Sequence, residues 1–313
     1  IDFNPNNKSF SFKTDQEGEV DNNDLIYSNL ILGLRDYVNK NKFPGVVIGI
    51  SGGIDSAFST CVATDALGPD RVKGILMPSK FTSSESNEDA NELGENLGIE
   101  LKSISIEEIV KAYDSTLDPL FKDSKKDITE ENIQSRARGS LLMAYSNKFG
   151  HMVLTNGNKS EVSVGYSTLY GDMCGGFSVV KDLYKSELYK LAEWRNNHVP
   201  STSILDKKSL IPQNILTKEP TAELKPNQMD KDTLPPYEEL DKILYLLVEK
   251  ESSISEIVDL GFEVNVVTKV QNMLYNSEYK RRQAAPGVKI SERNFGYDRR
   301  YPITNAFRDS KGS

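Results

Sequence analysis

Short apolar runs alternate with longer amphipathic segments over the first half of the chain. Four runs bounded by Gly, Pro or polar residues predict buried strands at 43–50, 72–77, 101–106 and 152–155. The segments between them predict helices at 57–67, at 84–97, from 107 onward and at 129–148. This alternation predicts an α/β fold with a doubly wound parallel sheet that helices cover on both faces. Ligands of such sheets bind outside the carboxyl ends of the strands.

The pattern changes in the second half of the chain. A helix predicted at 184–198 is followed by residues 200–236, which are polar, rich in Pro and without a clear period. A segment of this length inside a compact domain favours a lid, and residues 79–91 are interpreted in the same way. Extra C-terminal helices are predicted at 236–250, 253–260 and 263–282.

The two ends of the chain differ from its middle. Residues 1–23 are polar and rich in Asn, Asp and Lys, and they predict a linker or arm that remains from a missing N-terminal region. The alternating elements predict one domain over 24–283, which begins with a helix. Residues 284–313 predict an irregular C-terminal tail rich in Arg and aromatic residues.

The composition narrows the function classes. The chain has 313 residues, 37% hydrophobic and 27% charged, which is enough for a substantial core. A formal net charge of −8 disfavours a general nucleic-acid surface. The sequence has no apolar run of about 18 residues and no signal peptide, so we expect a cytoplasmic protein without a membrane partner. Two cysteines and two histidines without ligand spacing disfavour zinc.

A Gly-rich turn joins the first predicted strand to the next helix. It consists of Gly49, Ile50, Ser51, Gly52, Gly53, Ile54, Asp55 and Ser56. Adjacent glycines permit close approach of the backbone to an anion, and free N–H groups at a helix start attract phosphate. Asp55 suits such a site if Mg²⁺ bridges it to the phosphates. The loop lacks the Lys and the spacing of a Walker A loop, and a plain Gly-Gly turn is the simpler alternative.

This loop resembles the S-G-G-x-D-S loop of ATP pyrophosphatases, the PP-loop superfamily. Four other segments are similar to motifs of NAD synthetases, in the order Glu131 to Arg138, Thr155 to Glu161, Val164 to Met173 and Lys218 to Leu224. Ser277 to Arg282 and the tail through Asn305 are similar to the glutamine-dependent branch of that family. The resemblance covers residues 25–308 and implies a Rossmann-like sheet of the adenine nucleotide alpha hydrolase type.

The resemblance implies a reaction in two steps. The carboxylate of deamido-NAD would attack the α-phosphate of ATP, releasing pyrophosphate and forming an adenylate. Ammonia would then attack the activated carbonyl to give NAD and AMP. Chemistry of this kind depends on positioning and charge neutralisation more than on a protein nucleophile, so the lack of a Ser-His-Asp arrangement is no objection.

The resemblance also implies roles for individual residues. ATP would contact 49–56 together with Asn156, Lys185 and Thr221, and Mg²⁺ would be held by Asp55 and Glu161. Asp55, Glu161 and Lys185 would be the catalytic residues. Deamido-NAD would contact Asn132, Arg136, Glu161, Tyr170, Asp172 and Lys280. Asn156 stands where many members of the family have a Thr, which changes the hydrogen-bonding geometry at that position.

Each of these residues, taken without its motif, has a simpler explanation. Arg136, Lys185 and Lys280 would be solvated surface charges. Turn positions, helix starts or ordinary packing would account for Asn132, Asn156, Glu161, Tyr170, Asp172 and Thr221. The motifs in their shared order favour the functional interpretation over these alternatives.

The source of ammonia is a separate question. Glutamine-dependent members of the family carry a glutaminase with a Cys-Lys-Glu site, and neither Cys61 nor Cys174 suits that role by position. The resemblance therefore implies free ammonia as nitrogen donor unless a glutaminase domain is supplied in cis or in trans. It also implies a homodimer or a larger homo-oligomer. The alternatives are another PP-loop enzyme such as GMP synthetase, or an inactive nucleotide-binding module.

Overall fold

A five-stranded parallel sheet forms the centre of the computed structural model, which describes residues 2–4, 9–11, 21–122, 124–226 and 228–309. A separate antiparallel pair precedes it, formed by β1 (Asp2–Asn4) and β2 (Ser9–Ser11). The strands of the main sheet are β3 (Val46–Ile50), β4 (Val72–Leu76), β5 (Glu100–Ser103), β6 (Met152–Thr155) and β7 (Phe177–Ser178). Their order across the sheet is β5-β4-β3-β6-β7, with every pair parallel.

Helices follow the strands and cover the sheet. Those in the first half are α1 (Asn22–Lys40), α2 (Ile54–Leu67), α3 (Ser84–Leu97), α4 (Glu107–Phe121), α5 (Ile128–Phe149) and α6 (Lys159–Val164). The second half holds α7 (Lys185–Asn197), α8 (Gln213–Thr217), α9 (Tyr237–Val248), α10 (Ile254–Asp259), α11 (Val264–Asn276) and α12 (Glu278–Arg281). Within the described ranges no helix is both long and apolar enough to cross a membrane.

Helix α2 lies at the centre of the core and orders the site at its start. Every residue from Ser56 to Leu67 is buried, because the helix packs against β3 and β4 on one side and α1 and α7 on the other. Its one buried carboxylate, Asp65, accepts two hydrogen bonds from the Arg195 guanidinium at 2.8 and 2.9 Å. Tyr27 and Ser203 donate to the same carboxylate at 2.8 and 2.6 Å. This pairing satisfies a charge that would otherwise be costly in the core.

The predicted α/β fold and its parallel sheet are confirmed. The strand predicted at 43–50 begins only at Val46, after a Pro-Gly pair, and the strand predicted at 101–106 ends at Ser103. The helix predicted at 263–282 is interrupted at Ser277, where α11 ends and α12 begins. Five elements were not predicted, namely β1, β2, α6, β7 and α8, and each has six residues or fewer. Such lengths give no measurable period.

The ends of the chain behave differently from each other. Most of the arm predicted at 1–23 lies outside the described residues, and α1 already begins at Asn22. The tail is irregular from residue 284, but it is bound to the domain. Asp182 accepts hydrogen bonds from the backbone N–H groups of Ile290 and Ser291 at 2.7 and 2.9 Å. Glu249 accepts another from the Arg293 N–H at 2.6 Å. The domain borders at 23 and 283 stay predictions.

Candidate active site

A cavity of about 430 Å³ opens at the carboxyl ends of β3, β4 and β6. Its lining contains all of residues 49–56, the chain after β4 and β6, one face of α5 and part of the segment 218–230. This is the position expected for a ligand site in a parallel sheet. The volume lies in the range of small-molecule and cofactor sites.

The Gly-rich loop is folded tightly against α3. Gly52 has a φ of +78°, and a Cβ atom there would lie 2.3 Å from the carbonyl oxygen of Ser86. Ser51 Oγ accepts a hydrogen bond from Gly53 N–H at 3.2 Å, and Ser56 Oγ donates to the Gly53 carbonyl at 2.9 Å. Gly53 caps α2 without a side-chain hydrogen bond. The first N–H groups of this 14-residue helix therefore face the cavity as an anion site.

Three charged side chains from three helices meet beside this loop. Lys185 Nζ contacts the carboxylate of Asp55 and lies 3.3 Å from Glu161 Oε1. The lysine side chain is only 3% exposed, whereas Asp55 and Glu161 are 18% and 17% exposed toward the cavity. Asn158 links the two residues, since its Nδ2 donates to Asp55 Oδ1 at 2.8 Å and its Oδ1 accepts from the Glu161 backbone N–H at 3.0 Å. The structure thus brings together the three residues predicted as catalytic.

One negative charge remains in excess in this cluster. Burial and the neighbouring charge of Asp55 raise the pKa of Glu161, Lys185 opposes both effects, and the net result is a pKa of about 8. Burial lowers the pKa of Lys185, but the charges of Asp55 and Glu161 outweigh it and leave that pKa raised. Lys185 is therefore held as a cation, and a proton on Glu161 relieves the surplus charge while no other cation is bound.

A covering segment, residues 218–226 and 228–230, lines the same cavity as the loop and is hydrogen-bonded to α3. Lys218 Nζ donates to Ser86 Oγ at 2.7 Å. Glu223, at a φ of +48°, accepts from Ser83 Oγ at 2.9 Å and from Ser86 Oγ at 2.7 Å. Thr221 Oγ1 lines the cavity and donates to the Gln228 carbonyl. A lid at 200–236 stays a prediction.

A second wall of the cavity contains three of the residues predicted to contact deamido-NAD, namely Asn132, Asp172 and Lys280. Thr168 Oγ1 donates to Asn132 Oδ1 at 2.8 Å, and Thr168 N–H donates to Asp172 Oδ1 at 2.9 Å. Lys280 Nζ donates to the carbonyls of Gly165 and Ser167 at 2.7 and 2.6 Å. Burial raises the pKa of Asp172 to about 6 although the Thr168 N–H lowers it. Burial also lowers the pKa of Lys280, against the effect of Asp172.

Arg136 and Tyr170 lie outside the cavity of the single chain. Arg136 is exposed and donates through Nε to the Leu169 carbonyl at 3.2 Å. Tyr170 is 66% exposed, has a φ of +62° and donates to Gln283 Oε1 at 2.9 Å. Arg138, two positions along α5, lines the cavity instead and donates to the Met77 carbonyl at 3.0 Å. The roles predicted for Arg136 and Tyr170 stay predictions.

Asn156 presents an unused acceptor. Its Nδ2 donates to the Gly49 carbonyl at 3.1 Å, which ties the end of β6 to the end of β3. Its Oδ1 is buried without a partner among the described residues, and the residue lines the cavity. Since buried acceptors rarely stay unpaired, this oxygen is available to a ligand donor.

The structure adds residues that the sequence interpretation did not assign. Asn158 and Arg138 line or support the site, and both lie inside motifs that were quoted without a role for them. Asp230 also lines the cavity and accepts hydrogen bonds from two tyrosines. It lies in the segment without a period, where no signal pointed to it.

The family model and the curated relatives that match this chain point to the same family. The model of the NAD synthase family matches residues 26–284. The chain is 53% identical over 284 residues to the glutamine-dependent NAD(+) synthetase of Thermotoga maritima, covering 91% of this chain and 48% of that protein. It is 50% identical over 282 residues to that of Aquifex aeolicus, covering 90% and 48%. The chain thus spans about half the length of these curated relatives.

Solved structures agree with this result. The glutamine-dependent NAD+ synthetase of Acinetobacter baumannii, in complex with ADP, is 42% identical with a TM-score of 0.63, covering 99% of this chain and 55% of that one. The NH3-dependent NAD synthetase of Campylobacter jejuni is 26% identical with a TM-score of 0.64, covering 83% and 96%. The NMN synthetase of Francisella tularensis is 26% identical with a TM-score of 0.68, covering 84% and 97%.

Proposed function

The chain belongs to the NAD synthase family, and from this premise we propose that it converts deamido-NAD to NAD in an ATP-dependent amidation. The nicotinate carboxylate attacks the α-phosphate of ATP, pyrophosphate leaves, and an adenylate of the carboxylate forms. Ammonia then attacks the carbonyl carbon, AMP leaves, and the surplus proton of the nitrogen is released. The chain acts as a carbon–nitrogen ligase that gives NAD, AMP and pyrophosphate.

The observation that carries this proposal is the meeting of Lys185 with Asp55 and Glu161 beside the Gly-rich loop. The loop and the start of α2 offer N–H groups to the phosphates, and Lys185 offers a mobile positive charge. Thr221 and Asn156 line the same cavity, as expected for ATP contacts. The relative from Acinetobacter baumannii was solved in complex with ADP, which supports an adenine nucleotide as a ligand of this chain.

The donor set fits Mg²⁺. Asp55 and Glu161 are oxygen ligands that already converge on one cation, the Lys185 ammonium. Within the described residues no three acidic, histidine or cysteine side chains form a complete metal site, so phosphate oxygens and water would supply the remaining ligands, as Mg²⁺ prefers. When bound, Mg²⁺ would neutralise charge on the phosphates. Lys185, displaced from the acids, would turn its N–H groups to the phosphate oxygens.

The second wall of the cavity suits a substrate with both hydroxyl and phosphate groups. Asn132 and Asp172 present amide and carboxylate groups to the cavity, and Lys280 adds a positive charge at its edge. Arg136 and Tyr170 would contribute across a contact between two copies of the chain. This arrangement agrees with the homodimer that the resemblance implies. Deamido-NAD is therefore the acceptor that we propose.

Free ammonia is the nitrogen donor that we propose for this chain. The structural match to the NH3-dependent enzyme of Campylobacter jejuni covers 83% of this chain and 96% of that enzyme. Glutamine would serve only where a glutaminase domain is supplied in cis or in trans. A cytoplasmic location is part of the same proposal, and so is the absence of a nucleic-acid partner.

An acceptor assay tests the proposal. The purified chain is incubated with ATP, Mg²⁺ and ammonium chloride and with one acceptor at a time, namely deamido-NAD, nicotinate mononucleotide, xanthosine monophosphate or unmodified tRNA. NAD and pyrophosphate are measured by chromatography and by a coupled assay. We expect product with deamido-NAD, and a rate with nicotinate mononucleotide at least about 10-fold lower, because the adenylyl half of the acceptor would lose its contacts.

Other outcomes of the acceptor assay would favour an alternative function. Product only with xanthosine monophosphate would indicate a GMP synthetase, and binding of ATP without pyrophosphate release would indicate an inactive module. Efficient use of glutamine in the absence of ammonium would overturn the assignment of free ammonia as donor.

A further inference from the structure

The aromatic ring of Tyr237 is a third partner of the Lys185 ammonium. Tyr237 is the first residue of α9, and Lys185 Nζ lies 5.3 Å from the centroid of its ring. A cation over an aromatic face is attracted by the ring quadrupole, more strongly where water is excluded. With a side chain only 3% exposed, Lys185 meets that condition.

The hydroxyl group of this tyrosine is fixed by Asp230. Tyr237 Oη donates to Asp230 Oδ2 at 2.8 Å, and Tyr166 Oη donates to Oδ1 of the same carboxylate at 3.3 Å. Asp230 is 6% exposed and lines the cavity. Burial raises the pKa of Tyr237, and the charges of Glu161 and Asp230 raise it further. The hydroxyl group therefore keeps its proton and remains a donor.

Asp230 belongs to the covering segment. Its N–H donates to the Pro220 carbonyl at 3.3 Å, one residue before Thr221. Thr221 in turn donates to the Gln228 carbonyl. A continuous chain of contacts thus runs from the covering segment through Asp230 and Tyr237 to Lys185.

A ring differs from a carboxylate as a partner for a catalytic cation. Asp55 and Glu161 hold Lys185 by charge, and the same oxygens are the donors that suit Mg²⁺. An aromatic face attracts the ammonium without neutralising its charge, and the ammonium has three N–H donors to share among its partners. The lysine can therefore keep its place over the ring while it donates to phosphate.

We propose that Tyr237 is a positioning residue that holds Lys185 toward the ATP phosphates, and that Asp230 couples this position to the covering segment. The proposal rests on the proposed function, because the task belongs to the ATP-dependent step. Neither Tyr237 nor Asp230 acts on the reacting atoms in this scheme. Their effect reaches the reaction through the place of the Lys185 ammonium.

Two substitutions of Tyr237 separate the ring from the hydroxyl group. Tyr237→Phe keeps the ring and removes the hydrogen bond, whereas Tyr237→Leu removes both. Tyr245→Leu is the matched control, because Tyr245 lies on the same helix at a surface site with Lys250 Nζ 5.2 Å from its ring centroid. We expect kcat for NAD formation to fall about 10-fold in Tyr237→Leu and about 3-fold in Tyr237→Phe, with KM for deamido-NAD within about 2-fold. The control should keep the wild-type kcat.

An NMR spectrum of Lys185 tests its contact with the Tyr237 ring independently of activity. The chain is labelled with ¹³Cε-lysine, and the Lys185 signal is assigned by its loss in Lys185→Met. The ring current of Tyr237 should shift the Lys185 ε-protons upfield in the wild type and in Tyr237→Phe, and the shift should vanish in Tyr237→Leu. Asp230→Ala should reduce the shift, because the ring loses its anchor.

The outcomes are distinguishable. An unchanged lysine spectrum in Tyr237→Leu, or a kcat equal to that of the wild type, would overturn the positioning role. The positioning role would be supported if Tyr237→Phe is folded, keeps the upfield shift of the Lys185 ε-protons and has a lowered kcat. A wild-type chain that makes no NAD would count against the proposed function alone, and the lysine spectrum would still decide whether the ring holds the ammonium.

Discussion

Lys185 contacts the carboxylate of Asp55 across 130 positions of sequence, and each residue lies in the first turn of its helix. The first turn favours a carboxylate and disfavours a cation, because the helix dipole is positive there. Asp55 is therefore well placed by its own helix, whereas Lys185 is not. The lysine is held at an unfavourable helix end by the acids that it neutralises, and this makes it ready to move to a stronger anion.

Replacing Asp55 should abolish most of the activity. We expect Asp55→Asn to lower kcat for NAD formation by roughly 100-fold or more, because the variant loses one of the two charges proposed to hold Mg²⁺ and orient Lys185. The Mg²⁺ concentration for half-maximal rate should rise as well. Initial rates over a Mg²⁺ series measure both effects. Asp70→Asn, at an exposed carboxylate outside the cavity, is the control and should leave the rates unchanged.

The raised pKa of Glu161 predicts a pH-dependent stability of the ligand-free protein. Between the ordinary value of 4.5 and the folded value of about 8, the folded state binds more protons at this carboxyl than the unfolded state. Its contribution to stability is therefore present at low pH and lost as the pH rises through this range. Glu161→Gln has no such loss, so its stability relative to the wild type should increase with pH.

Urea unfolding at pH 5.5 and pH 8.5 measures this difference. We expect the free energy of unfolding of Glu161→Gln, relative to the wild type, to rise by roughly 1–3 kcal/mol between the two pH values. Glu238→Gln, at an exposed position, should show no such change. A difference that is constant with pH would mean that Glu161 is charged throughout.

Gly52 should tolerate no side chain. Gly52→Ala places a Cβ atom 2.3 Å from the Ser86 carbonyl oxygen at a φ of +78°, so both strain and a backbone clash oppose it. Gly98 has a φ of +69° with nothing within 4 Å of a Cβ atom, and Gly98→Ala isolates the strain. We expect a loss of about 1 kcal/mol for Gly98→Ala and more than about 2 kcal/mol for Gly52→Ala, measured by urea unfolding. Equal losses would show that the loop moves away from α3 freely.

Lys159 should be important for stability rather than for surface charge. It is fully buried, with Nζ 3.2 Å from Asp182 and 2.5 Å from Glu249. Lys159→Met would leave two buried acids without their cation, and we expect it to cost about 3–5 kcal/mol of unfolding free energy. Lys148→Met, at an exposed lysine of α5, should change stability by less than about 0.5 kcal/mol.

A double substitution checks the cause of that loss. Lys159→Met combined with Glu249→Gln removes one of the two stranded charges, so the double variant should be more stable than the sum of the single effects implies. Additive losses would indicate that packing, not charge, makes Lys159 necessary.

Much of the fold could be predicted because central parallel strands are continuous apolar runs. β3, β4 and β6 are buried along almost their whole length and are mostly apolar. β7 has two residues and pairs with β6 only at Leu154 and Thr155. Its existence depends on the edge of the sheet, not on a pattern in its own sequence.

The site could be predicted where one motif carries several of its residues. Thr155 to Glu161 is one such stretch, and the predicted Asn156 and Glu161 both line the cavity. Asp230 could not be found in this way, because Tyr166 and Tyr237, its hydrogen-bond donors, are distant in sequence. The cavity-lining position of Arg138 could not be predicted for another reason. Residues two apart on a helix lie on different faces, and only the packing of α5 decides which face meets the cavity.

The cluster around Lys159 also has a consequence for the order in which the chain is made. Residue 159 emerges from the ribosome long before Glu249, and before Ser291 and the Arg293 carbonyl, which accept its two further hydrogen bonds. The neighbouring Glu161 stands on the same short helix. During synthesis the sheet and the Gly-rich loop can form first, whereas the helix that carries Glu161 is locked only after the tail has been translated. The active site therefore cannot be completed before residue 293 has been translated.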